Sequence, residues 1–122
     1  MKSNFDDTKP IFQQLADMIA DEIIDNVLKE GDQIPSTTEL SKFYQINRAT
    51  AQKGLATLVA DGLVYKKRGV GMFVAEGARK TLLAERQQEF YKQYVQPMID
   101  EAKRIHLSEE EIIHFIKEVT ND

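Results

Sequence analysis

The 122-residue sequence predicts a mostly α-helical chain with one small β-hairpin, and three observations predict it. Apolar residues recur at helical spacing through most of the chain, but the period changes over residues 63–75, where two short runs read as strands. Two Ser-x-x-Glu capping boxes, Ser36 with Glu39 and Ser108 with Glu111, mark helix starts. Charge is also distributed unevenly: residues 1–39 balance to −6, residues 40–80 to +6 and residues 81–122 to −4, so the net −4 conceals a basic middle. Binding answers to the local field and not to the total.

The first helix reads from Pro10 to about Val27, with Ile11, Leu15, Met18, Ile19 and Ile23 on one face and Asp17, Asp21, Glu22 and Asp25 on the other. Gly31 and Pro35 mark a turn over residues 29–35. The Ser36 capping box opens a short helix with Leu40 and Phe43 inward, ending near Tyr44. Asn47 is a good N-cap for a helix from Arg48 to Asp61, with Ala51, Leu55, Leu58 and Val59 as its apolar stripe and Gly62 at its C-terminus. Two short helices joined by so tight a turn make a helix-turn-helix pattern. Residues 63–67 and 72–75 read as strands around Arg68-Gly69-Val70-Gly71, whose glycines permit the positive φ of a tight hairpin. Helix, helix-turn-helix and hairpin is the order of a winged helix.

Beyond Gly77 the helical pattern returns. From Lys80 to His106 the inward positions are Leu83, Phe90, Tyr94, Val95, Met98, Ala102 and Ile105, and Pro97 predicts a kink or a break. The Ser108 capping box opens a last helix to about Val119, with Ile112, Ile113, Phe115 and Ile116 on its apolar side. The chain therefore divides into a winged helix-turn-helix over 1–77 and a helical tail over 78–122. A two-helix tail cannot bury its apolar faces within one chain, so a partner chain is expected, with Leu83, Phe90, Tyr94, Val95, Met98, Ile105, Ile112, Phe115 and Ile116 forming the contact.

Composition narrows the chemistry. The chain has no cysteine, which removes disulfides, thiolate metal sites and thiol nucleophiles, and fits a reducing cytoplasm. No apolar run approaches the roughly 18–20 residues of a membrane span, and the N-terminus lacks the apolar stretch of a signal peptide. No nucleophile–base pair, phosphate loop or paired-carboxylate arrangement points to an enzyme, and no cofactor is implied. His106 and His114 stand eight apart across a helix break with no third ligand, which reads as two helix-end histidines and not as a metal site. Glu109, Glu110 and Glu111 read as first-turn charge on a helix dipole.

The basic segment carries the binding chemistry. In a helix-turn-helix the second helix enters the major groove, and here its first turns expose Arg48, Thr50, Gln52 and Lys53. Arginine donates twice to guanine O6 and N7, and glutamine pairs with adenine N6 and N7. Ser36, Thr37, Thr38 and Lys42 stand where they would touch the DNA backbone. The hairpin brings Lys66, Lys67, Arg68, Gly69, Val70 and Gly71 to a thin basic tip, suited to the minor groove and its phosphates. Each feature has a plainer reading, since a capping box signals a helix start and a basic edge strand resists aggregation. Their placement together on one helix-turn-helix and wing favours DNA.

These residues are similar to a known pattern. Residues 10–15 (PIFQQL), 28–36 (LKEGDQIPS), Glu39-Leu40, 47–50 (NRAT), Leu58 with 61–64 (DGLV), and 69–74 (GVGMFV) together resemble the DNA-binding domain of GntR-type bacterial transcription regulators. The resemblance implies DNA contacts at Thr38, Arg48, Gln52 and Gly69. Only Arg48 keeps the family's usual arginine, and Thr38 and Gln52 depart from it, so the resemblance does not imply the family's commonest operator core here. The tail of about 45 residues resembles that of the YtrA-like subfamily, which implies a dimerisation module, a palindromic operator, and repression of operons that encode ABC transporters. So short a tail leaves no evident effector pocket. The alternative reading is a protein-interaction module that keeps the winged-helix shape without DNA binding.

Overall fold

The computed structural model describes residues 5–121. It contains α1 (Ile11–Ile24), α2 (Thr37–Tyr44), α3 (Arg48–Ala60), β1 (Val64–Lys67), β2 (Gly71–Val74), α4 (Ala78–Phe90), a π-helical turn (Tyr91–Val95), α5 (Gln96–Arg104) and α6 (Glu109–Thr120). The chain forms two compact units, one ending at Leu83 and one beginning at Ala84, with the boundary inside α4. The first unit extends six residues past Gly77 because Ala78 and Leu82 are buried in its core.

That core is built on α1 and α3. Leu15, Ile19 and Ile23 of α1 meet Ala51, Leu55 and Leu58 of α3, and Leu40, Leu63, Val64 and Val74 close around them. Gly54 lies at the crossing, where an added Cβ would stand 3.0 Å from the Phe12 carbonyl oxygen and 3.1 Å from Leu15 Cδ2. Its lack of a side chain is what lets the two helices approach this closely.

Helix ends follow their caps. The Ser36 hydroxyl accepts from the Glu39 N–H while the Glu39 carboxylate accepts from the Ser36 N–H, so both halves of the capping box form. Asn47 Oδ1 accepts from the Ala49 N–H and opens α3. Two details depart from the helical spacing. α1 stops at Ile24 and not at Val27, because Asn26 turns to φ 63° and the Val27 and Leu28 N–H groups fold back onto the Glu22 carbonyl. Phe43 and Val59, expected inward, are 58% and 40% exposed. On α2 the inward row is Leu40 and Tyr44, four residues apart, and on α3 it is Ala51, Leu55 and Leu58, which leaves Phe43 and Val59 at the shoulders.

β1 and β2 pair antiparallel with Val64 opposite Val74 and Lys67 opposite Gly71. The segment 31–34, read from the sequence as a turn, also runs along the free edge of β2. There the Gly31 N–H donates to the Val74 carbonyl, the Val74 N–H to that of Asp32, and the Ile34 N–H to that of Met72. This pairing satisfies the outer edge of the hairpin and ties it to the connection between α1 and α2.

In the second unit, Pro97 neither breaks nor ends the helix. A proline has no N–H to donate and its ring collides with the carbonyl four residues back, here that of Gln93. The chain resolves this with the π-helical turn immediately before it, in which the Gln96 N–H reaches the Tyr91 carbonyl five residues back. The Ser108 capping box forms in full and opens α6. Among the described residues from Ala84 onward, Ala102 is the one buried side chain.

Candidate nucleic-acid interface

The turn of the helix-turn-helix spans residues 45–47. Gln45 adopts φ 55° to leave α2, and the Ser41 hydroxyl donates to the Ile46 carbonyl at 2.6 Å, holding the turn from within. This fixes α3 against α2 and brings two candidate contacts together: Arg48 Nη1 donates to Thr38 Oγ1 at 2.8 Å. Ser36, Thr38, Lys42, Arg48 and Gln52 are exposed, while Thr37 and Thr50 are half-buried. Lys53 is drawn toward α1, its ammonium 4.3 Å from the centroid of the Phe12 ring. That cation–π contact gives Lys53 a defined resting position beside the face carrying Arg48.

The wing has braces of its own. The Val70 N–H donates to the Lys67 carbonyl across the turn, Gly69 has φ 78° and Gly71 φ 145°. The Gln33 side chain, 37 residues away, donates from Nε2 to the Val70 carbonyl at 3.0 Å. A Cβ on Gly71 would meet that same Nε2 at 2.4 Å, so glycine is what admits the amide. Tyr65 and Phe73 stack across the strands with centroids 5.8 Å apart, and the Lys67 ammonium lies 4.8 Å from the Phe73 centroid. Lys66, Lys67, Arg68 and Val70 remain exposed at and beside the tip.

Three contributors escaped sequence reasoning. Gln33 and Phe12 fall inside stretches that carry the family resemblance, but neither they nor Ser41 bear a charge that would mark them as contacts, and their partners are Val70, Lys53 and Ile46. Ser41 lies in α2, five residues before its partner across the turn, whereas Gln33 and Phe12 meet partners far along the chain that only the fold brings near. Elsewhere, the predicted contact residues of the tail are half-buried at Leu83, Val95 and Ile112 and exposed at Phe90, Tyr94, Met98, Ile105, Phe115 and Ile116. His114 Nε2 lies 3.5 Å from a Glu118 carboxylate oxygen, and no three His, Cys, Asp or Glu among the described residues gather as metal ligands would. No described helix is long and apolar enough to cross a membrane.

Comparison with known proteins agrees with this arrangement. The family model of the gntR family of bacterial regulatory proteins matches residues 11–74, from the start of α1 to the end of β2. The HTH-type transcriptional repressor YtrA of Bacillus subtilis is 28% identical over 113 residues, covering 93% of this chain and 86% of its own. A crystal structure of a GntR-family regulator from Bacteroides thetaiotaomicron superposes with a TM-score of 0.75 at 30% identity, covering 91% of this chain and 96% of that one. The AraR DNA-binding domain in complex with its operator superposes with a TM-score of 0.54 at 28% identity, over 62% of this chain and 90% of that one. The helix-turn-helix, the braced wing and the family match lead to one conclusion: the chain belongs to the GntR family, whose members are DNA-binding transcriptional regulators and not enzymes.

Proposed function

We propose that this regulator is a cytoplasmic homodimeric repressor that reads a palindromic operator, one half-site per chain. Arg48 and Gln52 face the base edges, with Thr50 and Lys53 beside them. Ser36, Thr37, Thr38 and Lys42 meet the backbone, and Lys66 to Gly71 form the wing contact. The likeness to the operator-bound AraR domain supports the DNA-facing side, and the likeness to the repressor YtrA over nearly the whole chain supports repression; an ABC-transporter operon as the target rests on the resemblance of the short tail to the YtrA-like subfamily.

The observation that carries the dimer is the second unit's lack of a core. Among its described residues Ala102 alone is buried, while Phe90, Tyr91, Tyr94, Met98, Ile105, Ile113, Phe115 and Ile116 are exposed in the single chain. So much apolar surface on one short helical unit calls for a partner, and a second copy supplies the matching face together with the two-fold axis that a palindrome requires.

Two measurements test this reading. Light scattering at micromolar concentration is expected to give twice the chain mass; a monomer overturns the dimer. Binding to a duplex selected from a random pool is expected to weaken steeply between low and physiological salt, and the selected sequence to be palindromic. Salt-insensitive or absent DNA binding would instead favour the protein-interaction module.

A further inference from the structure

We infer that Thr38 is a positioning residue for base readout: its hydroxyl oxygen fixes the Arg48 guanidinium while its hydroxyl proton is left for a DNA phosphate. The inference rests on the reading of α3 as the groove-facing helix.

Arginine carries five N–H donors in a rigid fork, and one of them, on Nη1, is committed to Thr38 Oγ1 at 2.8 Å. The Arg48 side chain makes no other hydrogen bond among the described residues, so the edge formed by Nη2 and Nε keeps both of its donors, the pair that a guanine O6 and N7 require. An exposed arginine side chain is otherwise free to sample many rotamers, and that freedom must be lost on binding. The bond to Thr38 removes part of it beforehand.

Thr38 is suited to this by its own placement. It lies in the first turn of α2, where no helical carbonyl stands four residues behind it to take its proton. With its oxygen already accepting from Arg48, the hydroxyl has one donor left, and the side chain is exposed. A phosphate oxygen is the acceptor that a bound duplex supplies next to a groove-facing arginine. One hydroxyl would thus join the backbone, which sets register, to the side chain that reads the base. A bond between charged donor and hydroxyl also strengthens when the hydroxyl's own proton is engaged.

The test is a double-mutant cycle on the full-length protein. The probe is the tightest duplex selected from a random pool, together with its single base-pair variants. Arg48→Ala first identifies the base pair that Arg48 reads, as the position where discrimination collapses. Thr38→Val, which keeps the shape and loses the hydroxyl, is expected to lower discrimination at that same base pair about threefold to tenfold, the worth of one side-chain hydrogen bond. Thr38→Ser is expected to retain it. In an Arg48→Ala background, Thr38→Val is expected to have no further effect on discrimination. If Thr38→Val leaves discrimination unchanged while Arg48→Ala abolishes it, the positioning role is overturned and the groove reading stands. An equal loss from Thr38→Val with and without Arg48 overturns the role too, since Thr38 would then act alone. If Arg48→Ala changes neither affinity nor preferred sequence, the groove reading itself fails. Unchanged thermal midpoints in all variants exclude misfolding as the cause.

Discussion

Gln33 braces the wing from outside the hairpin. Its amide reaches the Val70 carbonyl, and the glycine at position 71 leaves the space it passes through. Gln33→Ala is therefore expected to weaken operator binding by about 0.5–1.5 kcal/mol, the net worth of a typical hydrogen bond, chiefly through faster dissociation. Gel shift and stopped-flow dissociation would show this, and an unchanged dissociation rate would show that the tip holds its shape unaided. Gly71→Ala is expected to do more harm, because the displaced Gln33 amide can swing aside but the positive φ cannot be relieved. At this scale the sequence was legible unevenly. Arg48 was placed by its position after the Asn47 cap, but its tie to Thr38 lies across a helix-turn-helix, and Gln33 meets its partner 37 residues on. A pairing of that separation is made by the fold and leaves no local pattern.

Among the elements, the crossing of α1 and α3 is the tightest point of the reader. Gly54→Ala would gain about 1 kcal/mol of helix propensity, but overpacking a filled core typically costs about 1–3 kcal/mol. With the Phe12 carbonyl oxygen at 3.0 Å and Leu15 at 3.1 Å from the new Cβ, the crowding wins. The expected outcome is a lower denaturation midpoint, and a more stable Gly54→Ala protein would mean that the crossing relaxes freely. The start of α6 responds to acid. The Ser108 backbone N–H, and then its hydroxyl, hold the Glu111 carboxyl below its ordinary value of 4.5. A carboxyl lowered by folding stabilises the fold while ionised, so its contribution is intact above the ordinary value and is lost as pH falls through the lower, folded-state value. Faster amide exchange in the first turn of α6 is expected in that acid range, and Glu111→Gln should flatten the dependence. Both capping boxes were legible because four adjacent residues settle them. The π-helical turn was not, since Pro97 announces only that the helix must adjust. The strand-like run of 31–34 was hidden for a different reason, having neither alternation nor β-branched enrichment to mark it.

For the whole molecule, the balance of +6 over residues 40–80 proved a better guide than the net charge of −4, because that segment contains α3 and the wing. The periodicity placed the tail's helical segments over 80–106 and 108–119, but it read the first as one helix where the structure has α4, the π-helical turn and α5. What it could not show is how few of those apolar residues one chain can cover: Phe90, Tyr94, Met98 and Ile105 follow helical spacing as any core face would, yet remain exposed. If the second copy supplies their cover, stability depends on protein concentration. The thermal midpoint is expected to rise across a hundredfold concentration range, and a midpoint independent of concentration would count against coupled assembly.

The same shortage of buried side chains bears on how the gene it controls would respond. If the second unit gains its core by pairing with a second copy, its folding and the assembly become a single second-order event. Below the dissociation constant of the pair, the DNA-competent species then grows with the square of the amount of chain made. Under the proposed dimeric repressor, halving synthesis would then cut occupancy of a partly filled operator by more than half, giving repression a threshold in gene dosage.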